Sequence, residues 1–370
     1  MSNFIAKAPK TLHSLAGANS KNGFVGIFDQ IFTVDAFDRI YIITGAPGTG
    51  KSKLMRDVAS QITIAEEKEF IYCSSDPSSL DGVILKKGNR RVGILDGTAP
   101  HGRLPTFPGS AETVIDLGRF WRKEALARSK EKIRELSCGK KTSYEDAYAA
   151  LAIAGAAKAE QLRLLERSFL RKKAEAVTMR IFKRISPTVG NASVRYQSAI
   201  GMTGEISLAD KSMGCQTVYR LPSFYGAELL CLSILCEQLN ARHAAYVRIP
   251  AVIDPFLTEA VILPKNSVAF FASAFAAKSS KELILNPRRF IDGEKFRSLR
   301  QRIRALAAIE EKEIQAAKKA LAEAGERHFA LEKIFCKAMD FQAKEAYTAQ
   351  LIEDVQKELD GDGGSAVETL

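Results

Sequence analysis

The residues with the clearest chemical purpose in this chain are residues 45–52, which read Gly-Ala-Pro-Gly-Thr-Gly-Lys-Ser. They follow a short apolar run and match the Walker A phosphate loop in full. Glycines let a backbone bend around phosphates, Lys51 reaches the β- and γ-phosphates, and the Ser52 hydroxyl can ligate Mg²⁺. The spacing therefore predicts a nucleoside triphosphate site with these contact residues: Gly45, Pro47, Gly48, Thr49, Gly50, Lys51, Ser52 and Lys53.

A second apolar run, residues 92–95, ends in Asp96 and has the form of a Walker B strand. Its carboxylate would hold Mg²⁺ opposite Ser52 and take part in catalysis with Lys51. The alternative is a structural aspartate that caps the Asp-Gly-Thr turn. Gly97, and not a glutamate, follows Asp96, so the catalytic base of the Asp-Glu ATPases is missing from its usual place. We therefore expect slow turnover.

Four further polar residues lie in loops that follow predicted strands, two after the strand at residues 69–73 and two after Asp96. Asp76 and Asp81 occupy a Ser- and Asp-rich loop that should face the γ-phosphate, because ligands bind beyond the carboxyl ends of strands in open α/β sheets. Asp81 is a candidate catalytic carboxylate, whereas Asp76 is more typical of a turn cap. His101 is a candidate for sensing the γ-phosphate or stabilising transferred charge, and Arg103 is a weaker one; a loop residue exposed to solvent is the alternative for both.

The sequence segments that contain these residues recur in the second half of the chain. Asp76-Pro77 and residues 83–85 recur as Asp254-Pro255 and residues 261–263, a shift of 178, and Arg119-Phe120 recurs as Arg289-Phe290, a shift of 170. Collinear matches at nearly one shift indicate a tandem duplication of a domain-sized unit.

The second copy of the phosphate loop is degraded. Alignment of Gly50 with Gly226 puts Ala227 in the position of the lysine and Glu228 in that of the hydroxyl. Ala272 takes the place of Asp96 after the matching strand. A carboxylate at a helix N-terminus would itself fill the anion site, so we expect no triphosphate binding in the second copy.

These patterns predict an α/β protein with two tandem P-loop NTPase-like domains, mainly parallel sheets, and a long helical hairpin arm on each domain. The predicted domains are residues 1–187, with an arm at about 111–185, and residues 188–358, with an arm at about 290–356. Residues 359–370 have the composition of a disordered tail. We expect the two domains to form a pseudo-dimer within one chain.

Composition limits the class of protein. The 370 residues are 46% apolar and 26% charged, and no stretch approaches the ~20 apolar residues of a membrane span. The six cysteines show no metal-ligand spacing and no secretory segment opens the chain, so a cytoplasmic location without membrane contact is expected.

The net charge of +11 is concentrated in the first arm. Residues 119–184 contain 18 Lys and Arg against 8 Asp and Glu, whereas residues 290–356 contain 12 of each. Arg163, Arg167 and Arg171 follow at i, i+4 and i+8, which predicts a like-charge stripe on one helix. An acidic protein or a nucleic acid could be its partner, and a solvated helix face is the alternative.

Taken together, residues 45–52, 73–82, 96–101, 108–109 and 117–121 and the degraded second copy resemble an uncharacterised bacterial family of tandem P-loop proteins, described as ATPases or nucleotide-kinase-like proteins. The resemblance covers nearly the whole chain. It implies ATP binding at Lys51 and Ser52, with residues 73–76 and 96–101 lining the site. Many relatives keep a more recognisable second phosphate loop, from which Ala227 and Glu228 depart.

The predicted function is a slow, Mg²⁺-dependent ATPase with one working site. A small-molecule or nucleotide kinase is the first alternative, and a nucleotide-gated binding module for an acidic partner or nucleic acid is the second. The chain lacks the Asn-Lys-x-Asp guanine signature, which favours ATP over GTP.

Overall fold

A computed structural model describes residues 9–99, 102–208, 215–272 and 281–361. The strands of the first half are β1 (Lys10–Leu15), β2 (Gly17–Ser20), β3 (Gly23–Gly26), β4 (Arg39–Thr44), β5 (Glu67–Tyr72), β6 (Leu80–Lys87), β7 (Arg90–Asp96) and β8 (Glu112–Asp116). Those of the second half are β9 (Ala192–Val194), β10 (Ser198–Gly201), β11 (Gly204–Ser207), β12 (Thr217–Leu221), β13 (Tyr246–Pro250), β14 (Thr258–Leu263), β15 (Val268–Ala272) and β16 (Lys281–Ile284). The described helices are α1 (Phe28–Ile31), α2 (Lys51–Gln61), α3 (Lys123–Arg128), α4 (Lys130–Glu166), α5 (Arg171–Ile185), α6 (Ala227–Asn240), α7 (Gly293–Ala338) and α8 (Phe341–Asp360).

The two halves have the same sheet topology. The first six-stranded sheet has the order β1-β5-β6-β7-β4-β8, and the second has the corresponding order β9-β13-β14-β15-β12-β16. In each sheet five strands are parallel and one, β6 or β14, runs antiparallel to both of its neighbours. The α/β class and the two similar, mostly parallel sheet-and-helix halves are thus confirmed.

The arms start later than the sequence predicts. Residues 112–116, placed in the first arm, instead form edge strand β8, and a 3-10 turn at Leu117–Phe120 follows. The equivalent turn at Pro287–Phe290 precedes α7. The charged arm pattern obscured these short segments, in which Asp116 and Asn286 each cap the turn by accepting a hydrogen bond from the amide two residues ahead. The last helix reaches Asp360, inside the predicted tail, whose residues 362–370 lie outside the described residues.

The chain forms two compact units that do not follow the repeat boundary. Unit 1 takes in the stretch up to Ala16, Gly26–Thr142 and the stretch from Glu323 onward, and unit 2 takes in Gly17–Val25 and Ser143–Ala322. The returning helix of each arm therefore belongs to the unit built around the other half's sheet. A division between residues 187 and 188 does not coincide with these units.

In unit 1, α2 and α8 pack together beside the first sheet. The buried face of α2 contains Leu54, Met55 and Val58, and that of α8 contains Leu351 and Val355. These side chains fix the start of α2 at the end of β4, where the phosphate loop lies.

In unit 2, the second sheet packs against α5 and α6 in an equivalent way. Phe182 of α5 and Leu232 and Leu235 of α6 join Phe270 of β15 in one apolar cluster. Burial of such large side chains stabilises each by about 1.5–3 kcal/mol relative to exposure.

Candidate functional site

The phosphate-loop residues form a tight turn between β4 and α2. Gly45, Gly48 and Gly50 have φ angles of 147°, 79° and 84°, a region that residues with a Cβ rarely adopt. Gly50 is the N-cap of α2, and Lys51 is the first residue of the helix. Thr49 is fully buried, and its hydroxyl donates to the Ala46 carbonyl at 2.9 Å, which closes the turn. The loop thus sits at a helix N-terminus, where backbone N–H groups and the helix dipole favour an anion.

Parallel strands bring Asp96 to the same edge of the sheet. Because β4 and β7 are parallel neighbours with Ile43 paired to Asp96, the carboxylate lies next to the start of the loop. The Lys51 ammonium is 3.6 Å from the Asp96 carboxylate and donates to the carbonyl oxygens of Gly45 at 2.6 Å and Ala46 at 3.2 Å. Lysine and aspartate are therefore brought together at the mouth of the loop.

The two carboxylate oxygens of Asp96 have different partners. One accepts from the amide of Thr98 at 2.8 Å and from the Thr98 hydroxyl, as in a capped turn. The other faces Lys51. Ser52, one residue into α2, accepts from the Leu80 amide at 2.9 Å through its hydroxyl oxygen.

Mg²⁺ in nucleotide sites uses few protein oxygens and completes its shell with water and phosphate. The Ser52 hydroxyl and the Asp96 carboxylate are hard oxygen donors of this kind, so the residues fit the ion. Among the residues that the structure describes, no three His, Cys, Asp or Glu side chains gather into a metal site made by the protein alone.

The loop after β5 brings Asp81 to this edge and gives Asp76 a different role. Asp81 is buried at the start of antiparallel β6, one residue before the pair Gly82–Leu95, so it lies beside the end of β7. Burial and the Asp81 carboxylate raise the pKa of the Cys73 thiol. Asp76 accepts from the amide of Ser78 at 3.0 Å, as its counterpart Asp254 does from Phe256 at 3.1 Å. Asp76 thus has the turn-capping arrangement.

Arg103 lies away from the phosphate loop. Its guanidinium donates to the Phe32 carbonyl and, at 2.5 Å, to Glu112, a fully buried carboxylate at the first residue of β8. The first residue of this parallel strand is at the sheet edge opposite the loop. Burial alone would raise the pKa of Glu112, but the amides of Phe107 and Thr106 together with Arg103 lower it. The other candidate in this segment, His101, lies outside the described residues.

The part of α7 that belongs to unit 1, from Glu323 onward, and α8 both lie against the loop. A methyl group built on Gly48 would be 2.5 Å from the Glu332 carbonyl oxygen of α7. One built on Gly50 would be 3.6 Å from the Lys344 amine of α8. The Lys53 ammonium lies 2.8 Å from Asp57 of its own helix and 3.7 Å from Glu345 of α8.

Lys344 is a residue that the sequence analysis missed. It occupies the buried stripe of α8 at Lys344, Thr348, Leu351, Val355 and Leu359, where the helical period calls for an apolar side chain. A lysine at a stripe position was the available signal, but it lay in an arm that had no predicted link to the phosphate loop.

The loop before α6, the counterpart of the phosphate loop, has the same αL glycine at the helix N-cap but contains a protein carboxylate. Gly226, with φ 94°, is the N-cap of α6 just as Gly50 is that of α2, which supports the alignment of the two glycines. The Glu228 carboxylate is buried and accepts from the Phe224 amide at 2.9 Å and the Ser223 hydroxyl at 3.0 Å. A protein carboxylate thus occupies the amide end of the loop, as expected from its sequence.

The predicted arginine stripe is not a continuous helical face. Helix α4 ends at Glu166 and α5 begins at Arg171, so Arg163, Arg167 and Arg171 do not share one helix. Arg163 binds Glu160 through two nitrogens at 2.6 and 2.8 Å, and Arg171 pairs with Glu175 at 2.9 Å. The helix break and these ion pairs remove the like-charge repulsion from which an anionic partner was inferred.

No described helix has the length and apolar character needed to cross a membrane. Comparison of the chain with protein-family models, with curated proteins and with solved structures gives no match.

Proposed function

We propose that the chain is an ATP-binding protein and a slow, Mg²⁺-dependent ATPase with one working site, in the first half. The observation that carries this proposal is the meeting of Lys51 and Asp96, 3.6 Å apart, at a glycine-rich turn that opens a helix. A lysine, a strand-end carboxylate and inward backbone amides are the parts with which phosphate loops bind a nucleoside triphosphate.

The residues divide the work as follows. When ATP binds, the Lys51 ammonium gives up its hydrogen bonds to the Gly45 and Ala46 carbonyls and donates to phosphate oxygens instead. The backbone amides of the loop donate to the other phosphate oxygens. Ser52 and Asp96 would hold Mg²⁺, which neutralises phosphate charge. Asp81, which lies beside the end of β7, is the carboxylate that would orient a water. The position after Asp96 holds Gly97, which supplies no base, and this is the reason for slow turnover.

The direct test compares wild type with Lys51→Ala in Mg-ATP binding and in phosphate release. Loss of charge-assisted bonds to phosphate should weaken ATP binding by about 100-fold. Phosphate release by the wild type should stay below about 1 s⁻¹, the lower end of ordinary enzymes. Lys123→Ala, which removes an exposed lysine of α3, is the matched control. Equal binding and turnover in Lys51→Ala and wild type would refute the assignment.

The kinase alternative is decided in the same assay. Nucleosides, nucleotides and a nucleic acid are added as acceptors, and both free phosphate and phosphorylated acceptor are measured. ADP that forms with a phosphorylated acceptor, and without free phosphate, identifies a kinase. Free phosphate at an unchanged rate supports the ATPase.

A further inference from the structure

The Lys344 side chain is an unusual feature of unit 1. The side chain is fully buried, and its amine has no hydrogen-bond partner among the residues that the structure describes. Buried ammonium groups in proteins are ordinarily paired, because removal of a charge from water without compensation costs several kcal/mol. The unpaired amine therefore calls for an anion that the polypeptide does not supply.

The position of this amine identifies the kind of anion. The Cε and Nζ atoms of Lys344 lie 3.6 Å from a methyl group built on Gly50, the N-cap of α2. This is the end of α2 at which backbone amides and the helix dipole attract negative charge. A phosphate at the loop would thus meet Lys344 from the side of the arm.

The carboxylates nearest to Lys344 are already engaged. Asp57 and Glu345 act on Lys344 electrostatically, but both pair with the Lys53 ammonium, at 2.8 and 3.7 Å. Burial, followed by the positive charge of Lys53, lowers the pKa of Lys344. A bound anion would reverse both effects on the amine.

A second arm lysine, Lys140, interacts electrostatically with Lys51. Lys140 of α4 is half-buried, and burial together with the charge of Lys51 lowers its pKa. The lysines of α2 have carboxylate partners, so the excess positive charge beside this helix comes from the two arm lysines, Lys140 and Lys344. Such an excess of positive charge suits a ligand with several negative charges, as a di- or triphosphate has.

We propose that Lys344, carried by the arm of the second half, is a phosphate-binding residue of the loop in the first half. This inference rests on the proposed function, because it assigns a further binding residue to the same site. It gives the second half of the sequence a direct part in nucleotide binding even though its own loop is filled by Glu228.

The test measures the dissociation constants of Mg-ATP, Mg-ADP and inorganic tripolyphosphate for wild type, Lys344→Met and Lys357→Met. Lys357 is an exposed lysine of the same helix, so its variant removes the same charge without touching the loop. Loss of one charge-assisted bond should weaken ATP and tripolyphosphate binding to Lys344→Met by about 10- to 100-fold. Lys357→Met should bind as wild type does. Weaker binding of ATP with unchanged binding of tripolyphosphate would contradict a contact between Lys344 and phosphate.

The thermal midpoint without ligand separates a binding role from a structural one. Met is an apolar chain of similar length, so Lys344→Met removes a buried unpaired amine and should unfold at the same temperature as wild type or higher. A lysine needed only for packing would instead give a lower midpoint and unchanged affinity.

Labelling of the wild type gives a readout that needs no variant. An acyl phosphate of ATP transfers its acyl group to lysine amines beside the bound phosphates, and peptide mass spectrometry locates the label. Label on Lys51 and Lys344, and not on Lys357, that excess ATP suppresses supports the proposal. Label on Lys51 without Lys344, or equal ATP affinity in Lys344→Met and wild type, overturns it and leaves the ATP site standing. Absence of ATP binding by the wild type overturns both.

Discussion

The carboxyl group of Glu259, a half-buried residue, should make unit 2 less stable as the pH rises. Glu259 is the second residue of β14, the position that Asp81 holds in β6, and it accepts hydrogen bonds from the Ser198 hydroxyl and the Val252 amide. Burial raises its pKa from 4.5 to about 8, against the smaller opposing effect of these two donors. The folded state therefore holds a proton that the unfolded chain has released.

The sign and size of the effect follow from this difference in proton binding. The stabilisation is complete below pH 4.5, falls as the pH rises, and is lost above about pH 8. The gap between 4.5 and about 8 corresponds to at most about 5 kcal/mol at 1.36 kcal/mol per pH unit. About 3 kcal/mol of this should already be lost at pH 7.

Glu259→Gln tests this reasoning because glutamine keeps an acceptor oxygen and cannot ionise. The free energy of unfolding is measured between pH 5 and pH 9. The single tryptophan, Trp121, belongs to unit 1, so a transition seen by circular dichroism and not by tryptophan fluorescence reports on unit 2. Glu259→Gln should be more stable than wild type at pH 8, and its free energy of unfolding should change less with pH. Glu311→Gln, at an exposed position of α7, should have the same pH profile as wild type. Parallel pH profiles for Glu259→Gln and wild type would refute the argument.

Two further substitutions test the contacts around the first sheet. Gly48→Ala should destabilise the fold by about 1–2 kcal/mol because of its φ of 79°, and further because its methyl group would approach Glu332; it should also weaken ATP binding. Gly109 has the same φ with open space around it, so Gly109→Ala measures the cost of the φ angle alone. Equal unfolding midpoints and equal ATP affinity for the two variants would contradict the close contact of Gly48 with Glu332. Arg103→Met should destabilise the chain by about 3–5 kcal/mol in chemical denaturation because it leaves Glu112 buried and unpaired, and Arg103→Met combined with Glu112→Gln should recover much of the loss. Because this pair lies at the sheet edge opposite the loop, a folded Arg103→Met that has lost ATP affinity would show the interpretation of Arg103 to be wrong.

The turn at residues 45–50 and the strands around it were predictable because their signals are local. Residues 40–43 and 92–95 are short apolar runs with polar ends, and they form β4 and β7 with one or two residues added at each end. The duplication was readable for the same reason, since Arg119-Phe120 and Arg289-Phe290 end equivalent 3-10 turns. A pattern within one strand or turn predicts that element correctly because it does not depend on contacts with distant parts of the chain.

The predicted features that differ from the structure depend on contacts between distant segments. The sequence placed Arg163, Arg167 and Arg171 on one helix because charge spacing does not reveal a break at residues 167–170. It also assigned each arm to its own half, since nothing local shows that α8 packs on α2. Lys344 and Gly50 are nearly 300 residues apart in the sequence, so only the folded chain shows that Lys344 approaches the start of α2.

The assignment of each returning helix to the other half's sheet has a consequence for ancestry. A chain with a single repeat would have no helix of its own to complete its sheet, and two such chains would complete one another by exchanging arms, as domain-swapped dimers do. Fusion of two such chains would join the partners permanently and let the two loops diverge. One loop could then change while its arm was retained, because that arm would still pack against α2 of the other half.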